Sequence, residues 1–160
     1  MENETRIVRL EASIDNIDRF SLLFDKIDIK KIPLLYHDES YRSEYIKRVA
    51  QNADLLFACK NGADIGVCAT YTNRPPLSHI TFVGVVPEHS GKGIGRMLLM
   101  DTIELAKERG LAYITIETDA ENVFAQRLYG SCGFAVENIK GQAIWMRLDL
   151  PHGRDGEMPI

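Results

Sequence analysis

A glycine-rich segment between an apolar strand and an amphipathic helix constrains this chain more than any other feature. Residues 80–86 have the apolar, β-branched composition of a buried strand, in which Gly84 indicates a bulge. The helix that follows has apolar residues three and four positions apart. They are Ile94, Leu98, Leu99, Ile103, Leu105 and Ala106. The turn between the two elements contains Gly91, Gly93 and Gly95.

The composition of this turn indicates an anion-binding site. Glycines let the backbone approach a ligand, and the first N–H groups of a helix have no intrahelical partner. Lys92 and Arg96 add positive charge at the same point. Hydrogen bonds from the amides to a charged group contribute about 1.5–3 kcal/mol each, so several could dominate the affinity for a pyrophosphate. The alternative is a tight turn whose glycines serve packing alone.

The spacing argues against two other glycine-rich motifs. A Walker A loop needs Ser or Thr at position 93 to bind magnesium, where this chain has Gly93. A dinucleotide fingerprint needs G-x-G-x-x-G, whereas this run is G-x-G-x-G and follows a predicted hairpin. An NTPase and a nicotinamide-binding protein are therefore disfavoured.

The remaining patterns predict strands and helices in a regular order. They comprise a strand at 5–10, a helix from Ser13 or Asp15, a break at Pro33, a helix with the stripe Tyr45, Ile46 and Val49, a hairpin of 55–60 and 64–71 around Asn61-Gly62, a strand at 113–118, a helix at 122–132, and a hairpin of 134–139 and 143–148 around Lys140-Gly141.

Length and composition indicate one soluble globular domain over residues 1–150, followed by a mobile tail at 151–160 that is rich in turn formers. A net charge of −4 argues against nucleic acid as the main partner. No apolar run reaches the ~18–20 residues that span a bilayer, and the first residues lack a signal peptide's pattern, so we expect a cytoplasmic protein without a membrane partner.

No metal site is predicted. Cys59, Cys68 and Cys132 have no C-x-x-C spacing, and the first two lie in strand-like apolar runs, which favours small core residues. The four histidines, among them His79 and His89, also lack metal-ligand spacing.

Two motifs together resemble those of the GNAT family of N-acetyltransferases. The run from Val85 to Leu99 is similar to the family's coenzyme A motif, [RQ]-x-x-G-x-[GA], with Gly93 and Gly95 at the glycine positions. Ser90 stands where the family has Arg or Gln. Because backbone N–H groups make most of that contact, we expect Ser90 to weaken binding without abolishing it. The second motif is Asn122-x-x-Ala125-x-x-x-Tyr129-x-x-x-Gly133-Phe134.

The resemblance covers residues 80–150 well and residues 1–75 only by strand order. It implies an α/β (α+β) fold with a central mixed, mostly antiparallel seven-stranded sheet, flanked by about four helices and splayed between the fourth and fifth strands. It also implies acetyl-CoA as co-substrate and no metal. The implied cofactor-binding residues are Val85, Val86, Ser90, Gly91, Lys92, Gly93, Ile94, Gly95, Arg96, Asn122 and Tyr129.

The resemblance further implies direct attack of an amine on the thioester. A backbone N–H at Val85 or Val86 would hold the carbonyl oxygen, and Tyr129 would protonate the departing thiolate. Helical spacing alone allows Tyr129 to be a core tyrosine. Glu117, at the end of the predicted fifth strand, is the best candidate base, directly or through water, and its alternative is a solvated strand-end glutamate.

The predicted function is therefore transfer of an acetyl group from acetyl-CoA to a primary amine. A domain that binds or senses acyl-CoA without catalysis is the alternative, and retention of both Tyr129 and Glu117 favours the enzyme. A peptide N-terminus, an aminosugar and a polyamine all stay open as acceptors, with the short last hairpin favouring something extended. The sequence leaves monomer and homodimer open.

Overall fold

The computed structural model describes residues 4–30 and 32–151, and within them a seven-stranded sheet has the order β1-β2-β3-β4-β5-β7-β6. The strands are β1 (Arg6–Leu10), β2 (Asp54–Lys60), β3 (Ala63–Arg74), β4 (Leu77–Val85), β5 (Tyr113–Asp119), β6 (Ala135–Lys140) and β7 (Ala143–Asp149). Only β4 and β5 pair in parallel in this sheet, which confirms the predicted mixed, mostly antiparallel architecture. From residue 152 on, the predicted tail lies outside the described residues.

Five α-helices flank the sheet in the described part of the chain, one more than the patterns predicted. They are α1 (Ile17–Phe24), α2 (Pro33–His37), α3 (Glu39–Asn52), α4 (Ile94–Glu108) and α5 (Val123–Ser131). The additional helix is α2. It starts at Pro33, which we expected to be a break, because proline fits the first turn of a helix, where no N–H is needed. None of the helices in residues 4–30 and 32–151 has the length and apolar character to cross a membrane.

The sheet opens between β4 and β5. Their parallel ladder runs from the Leu77–Tyr113 pair to the Ile80–Ile116 pair and stops there. Both strands nevertheless continue, since β4 stays paired with β3 as far as Val85 and β5 stays paired with β7 as far as Asp119. The predicted splay between the fourth and fifth strands is confirmed.

A bulge in β4 occurs where this opening begins. The β3–β4 register passes from Phe82 directly to Ile80, which leaves Thr81 without a paired residue. The Tyr45 hydroxyl, on α3, donates to the backbone oxygen of Thr81 at 3.0 Å. The predicted bulge at Gly84 is wrong. That glycine is regularly paired, and a Cβ there would lie 2.9 Å from Ile27 Cγ2, so close packing requires it.

Apolar side chains of α1 and α4 pack against the sheet and form its core. Phe20 and Phe24 of α1 pack against Phe82 of β4, with ring centroids 6.2 Å and 4.8 Å apart. The apolar stripe of α4 is buried, as its periodicity predicted, and α4 packs across β2, β3 and β4. Cys59 and Cys68 are buried free thiols, which confirms them as core residues.

Candidate active site

The glycine-rich turn leads from β4 into α4. After a 3-10 turn at Pro87–His89, Gly91 and Gly93 adopt left-handed backbone conformations, with φ of 74° and 83°. Residues with a Cβ adopt this region at a cost, which explains glycine at both positions. Gly95 has a different role. A Cβ there would lie 3.2 Å from Leu128 Cδ2, so this glycine lets α5 pack closely against α4.

The amino terminus of α4 has free hydrogen-bond donors. Gly93 is its N-cap residue, no side chain caps the helix, and its first turn contains no acidic residue. The first intrahelical bond from the turn runs from the Met97 N–H to the Gly93 oxygen at 3.0 Å. The N–H groups of residues 94–96 precede it and have no carbonyl within the helix to bond. This end of α4 therefore favours a negatively charged group.

A cleft of about 230 Å³ lies over this turn, between β4, α4 and α5. Nine of the eleven residues predicted to bind cofactor line it: Val85, Ser90, Gly91, Gly93, Ile94, Gly95, Arg96, Asn122 and Tyr129. We call it the cofactor cleft. Val86 and Lys92 do not line it; the first is buried and the second is exposed.

Of the two predicted oxyanion donors, the N–H of Val86 is already used. It donates to the Ile65 backbone oxygen of β3 at 2.9 Å, so it cannot also serve a thioester. Successive N–H groups of a strand point to opposite edges, so the N–H of Val85 faces away from β3 toward the gap between β4 and β5. Val85 is the donor that we retain as a prediction.

Tyr129 is a buried residue of α5 whose side chain lines the cofactor cleft. Its ring packs against Phe134 with centroids 6.3 Å apart, and its hydroxyl group forms no hydrogen bond with any residue of the described chain. Burial, and then the nearby Cys68 thiol, raise the pKa of Tyr129 above its ordinary value of 10. A buried hydroxyl without a protein partner is uncommon, and the residue that carries this one lines the cofactor cleft.

Two predicted cofactor residues also have structural roles. Asn122 caps α5, because its Oδ1 accepts a hydrogen bond from the Ala125 N–H at 3.1 Å. The Arg96 guanidinium joins α4 to the end of α5, donating to Ser131 Oγ at 2.9 Å and to the Ser131 backbone oxygen at 3.1 Å. Its charge is therefore partly engaged within the protein rather than free for a phosphate.

A second cleft, of about 540 Å³, is lined by residues of α2, α3, β4 and β5 and contains Glu117. We call it the acceptor cleft. Its lining is Ile32, Pro33, Leu34, Leu35, Tyr41, Tyr45, His79, Ile80, Thr81, Glu117, Thr118, Asp119, Gln142 and Ala143. Among these, Glu117 and Asp119 are acidic and none is lysine or arginine. Glu117 is exposed, and it forms no ion pair or hydrogen bond with the described residues.

The two clefts have no lining residue in common, but they meet along β4. Residues 79–81 line the acceptor cleft, and residues 83–85 line the cofactor cleft. Glu117 and Tyr129 thus lie in different clefts.

Sequence reasoning missed several lining residues. Phe124 and Leu128 of α5 line the cofactor cleft, and Phe124 is 68% exposed. Phe124 and Leu128 are four residues apart and so share a face of α5, but neither lies three or four residues from Tyr129, so spacing from that tyrosine does not identify them. His79 and its partner Thr115 had no local signal either, since only the parallel register of β4 and β5 brings them together. No group of three His, Cys, Asp or Glu side chains able to hold a metal occurs among the described residues.

Comparison with known proteins agrees with this geometry. A family model described as the acetyltransferase (GNAT) family matches residues 23–134, a range that contains β4, α4, β5 and α5. Among curated proteins, the mycothiol acetyltransferase of Nocardia farcinica is 33% identical over 66 residues, which are 41% of this chain and 22% of that protein. The chain spans only 21% to 28% of the length of the first three mycothiol acetyltransferases that it matches.

Solved structures match over nearly the whole chain. An IAA acetyltransferase from Bacillus cereus has a TM-score of 0.71 and 25% identity, covering 92% of this chain and 100% of that one. A GNAT family acetyltransferase from Elizabethkingia anophelis, solved with acetyl-CoA bound, has a TM-score of 0.68 and 21% identity, covering 94% and 100% of the two chains. At that identity the second match supports the fold alone.

Proposed function

This chain belongs to the GNAT acetyltransferase family, and we propose that it transfers an acetyl group from acetyl-CoA to a primary amine by direct attack on the thioester. The observation that carries the proposal is the opening between β4 and β5, with two clefts of different chemistry that meet along β4. We expect the reaction to take place in the cytoplasm.

The free amides at the start of α4 support acetyl-CoA as the acetyl donor. They would bind the pyrophosphate, and the left-handed Gly91 and Gly93 leave open space above the backbone, with no atom within 4 Å of a Cβ built at either position. The pantetheine arm would then run along the cofactor cleft toward the gap. There the Val85 N–H would stabilise the negative charge that develops on the carbonyl oxygen.

Tyr129 suits the role of acid. Its phenol lines the same cleft, and its raised pKa keeps the hydroxyl protonated at neutral pH. The hydroxyl has no partner in the described part of the chain, so it is available to a sulfur atom in the cleft. When the carbon–sulfur bond breaks, the phenolic proton would pass to the thiolate, and solvent would reprotonate the phenolate.

The charge of the acceptor cleft favours a cationic amine. Glu117 and Asp119 would attract an ammonium group, and Glu117 is the predicted base, directly or through water. The apolar wall formed by α2, including the 55% exposed Leu34, suits an apolar group beside that amine. Anionic acceptors would be repelled.

The acidity of the amine favours an α-amine over a lysine. Deprotonating a lysine with a pKa of ~10.4 at pH 7 costs about 4.6 kcal/mol, whereas an α-amine with a pKa of ~7.7–8 costs only about 1–1.4 kcal/mol. A modest base is therefore sufficient to deprotonate an α-amine. A peptide N-terminus is therefore the acceptor that we would test first.

Two measurements on the same protein test the proposal. Acetyl-CoA should raise the melting temperature, because a ligand at 100 times its Kd stabilises the native state by about 2.7 kcal/mol. Thiol release from acetyl-CoA should then depend on an added amine. The panel would contain a tripeptide with a free amino terminus, phenethylamine, spermidine and glucosamine, with the N-acetylated tripeptide as control.

The outcomes separate the competing functions. Amine-dependent thiol release with a matching acetylated product supports the enzyme. Binding of acetyl-CoA without turnover on any amine would favour the acyl-CoA sensor. If neither a thermal shift nor a calorimetric signal appears at millimolar acetyl-CoA, the cofactor assignment is wrong.

A further inference from the structure

A histidine that the predicted mechanism does not use lies in the acceptor cleft. His79 of β4 is paired with Thr115 of β5 in the last part of the parallel ladder. Its Nδ1 lies 2.8 Å from Thr115 Oγ1, and its ring packs against Trp145 of β7 with centroids 5.7 Å apart. These two contacts fix both the position and the plane of the imidazole.

The hydrogen bond to Thr115 engages Nδ1 and leaves Nε2 as the ring nitrogen that faces no partner in the described part of the chain. A threonine hydroxyl can accept from Nδ1–H whether the imidazole is neutral or protonated, because it can rotate. In the tautomer in which Nδ1–H donates to Thr115, Nε2 carries the lone pair of the neutral ring. Nε2 forms no hydrogen bond with any residue of the described chain, and the side chain lines the cleft together with Glu117.

Burial, rather than a charged partner, keeps His79 neutral at pH 7. The titratable groups on the elements packed against it are Tyr71 of β3, Tyr41 and Tyr45 of α3, Glu117 and Asp119 of β5, and Arg147 of β7. None of these groups bonds to the ring, and the Arg147 guanidinium instead pairs with Asp149 and Glu137. Burial lowers the pKa of His79 below its ordinary value of 6.5.

We propose that His79 is the catalytic base, and that Thr115 is the positioning residue that holds it. This inference rests on the proposed amine acetylation. An N–H bond of the acceptor ammonium breaks, and that proton forms a new bond to Nε2. The freed lone pair attacks the thioester carbonyl carbon, and the carbon–sulfur bond breaks. The thiolate takes the Tyr129 proton, the second amine proton and the Nε2 proton then pass to solvent, and solvent returns one proton to Tyr129.

His79 suits this role better than a carboxylate does. Proton transfer is most efficient when the pKa of the base lies near the working pH, and the reference value of imidazole is closer to 7 than that of a carboxylic acid. Glu117 lies two residues beyond Thr115 on the same face of β5. From there its negative charge would attract the ammonium and stabilise the imidazolium that forms.

The test is the pH dependence of kcat/KM between pH 5 and 9, with acetyl-CoA and the panel amine of highest activity. The base must be unprotonated, so activity should fall as the pH drops through the lowered pKa of His79, below about 6.5. His79→Gln should reduce kcat about 10²-fold and remove this acid limb, with the Kd of acetyl-CoA unchanged. Thr115→Val should reduce kcat less and shift the limb. The matched control is His37→Gln, which lies outside both clefts.

Chemical rescue separates catalysis from structure. Imidazole added to His79→Ala should restore part of the activity, which a purely structural role would not allow. If His79→Gln does not fold, Thr115→Val and His79→Asn carry the same test. An unchanged acid limb and a loss of kcat below threefold would overturn the inference while leaving the acetyltransferase intact. A parent protein that acetylates no panel amine would overturn both.

Discussion

The cofactor cleft and the acceptor cleft are built from different parts of the chain. The cofactor cleft depends on backbone groups within one short stretch, from Val85 to the start of α4, and on α5 packed beside it. The acceptor cleft consists of side chains from α2, α3, β4, β5 and the β6–β7 turn. Backbone groups can hold the same cofactor whatever the surrounding side chains are. Scattered side chains can vary independently, so substrate choice should be determined on the acceptor side.

Because the two clefts share no lining residue, we expect a substitution in one cleft to leave binding in the other unchanged. A change in the turn should affect the Kd of acetyl-CoA, whereas a change in the acceptor cleft should affect the KM of the amine.

Gly93→Asp should have the largest effect. It places a carboxylate where the pyrophosphate should approach, and the loss of two amide contacts at about 1.5–3 kcal/mol each would weaken acetyl-CoA binding at least about 10²-fold. Calorimetric titration measures this directly. The matched control is Gly110→Asp, since Gly110 has a similar φ of 71° and equally open surroundings but lies at the other end of α4. Equal affinities in the two variants would mean that the pyrophosphate binds elsewhere.

Tyr129→Phe should lower kcat by about 10²-fold, as expected for loss of a general acid, and should hardly change the Kd of acetyl-CoA. Its hydroxyl has no partner in the described part of the chain, so its removal should not reduce the melting temperature. Tyr113→Phe, outside both clefts, is the control.

The raised pKa of Tyr129 changes the expected pH profile. Tyr129 must be protonated to act as the acid. The fall in activity at alkaline pH that reports its deprotonation should therefore lie above pH 10, outside the usual assay range. An unchanged kcat in the phenylalanine variant, with chemistry shown to be rate-limiting, would return Tyr129 to a packing role.

Glu117→Gln should raise the KM of a cationic amine about tenfold, because a hydrogen-bonded charge pair contributes about 1.5–3 kcal/mol and the neutral amide retains part of it. The Kd of acetyl-CoA should stay the same. Glu104→Gln, on the exposed face of α4, controls for the loss of one charge. A kcat loss as large as that of His79→Gln would instead make Glu117 the base.

Lys92→Ala should have the smallest effect. The side chain is exposed and does not line the cofactor cleft, so its attraction to a phosphate should contribute about 0.2–1 kcal/mol, a factor of up to about 5 in Kd. The difference between variant and parent should shrink further at high salt. A loss approaching that of Gly93→Asp would show that a side chain, rather than the backbone, dominates phosphate binding.

The same difference between the clefts explains what the sequence could predict. The turn and α5 were predictable because local motifs at Gly93, Gly95, Asn122 and Tyr129 specify both conformation and neighbours, and nine of the eleven predicted cofactor residues line one cleft. The motif could not predict that the Val86 N–H donates to the Ile65 oxygen, because that bond depends on the register between β3 and β4.

The acceptor side required the three-dimensional structure. His79 and Thr115 are 36 residues apart and meet only through the parallel register of two strands. The bulge at Thr81 also follows from pairing with β3, and glycine content wrongly favoured Gly84. Proline has no N–H, which interrupts a helix interior but costs nothing in the first turn, so the break expected at Pro33 is instead the start of α2.

The crystal structure of the complex with acetyl-CoA is the most direct test of the central claim, that the thioester lies in the gap between β4 and β5 with the two clefts meeting along β4. We expect the pyrophosphate on the amides of residues 91–96, the thioester oxygen about 2.7–3.1 Å from the Val85 nitrogen, and the sulfur atom beside the Tyr129 hydroxyl. The acetyl group should point into the cleft that contains His79 and Glu117. A pyrophosphate bound away from the turn, or a thioester that does not reach the gap, would contradict it.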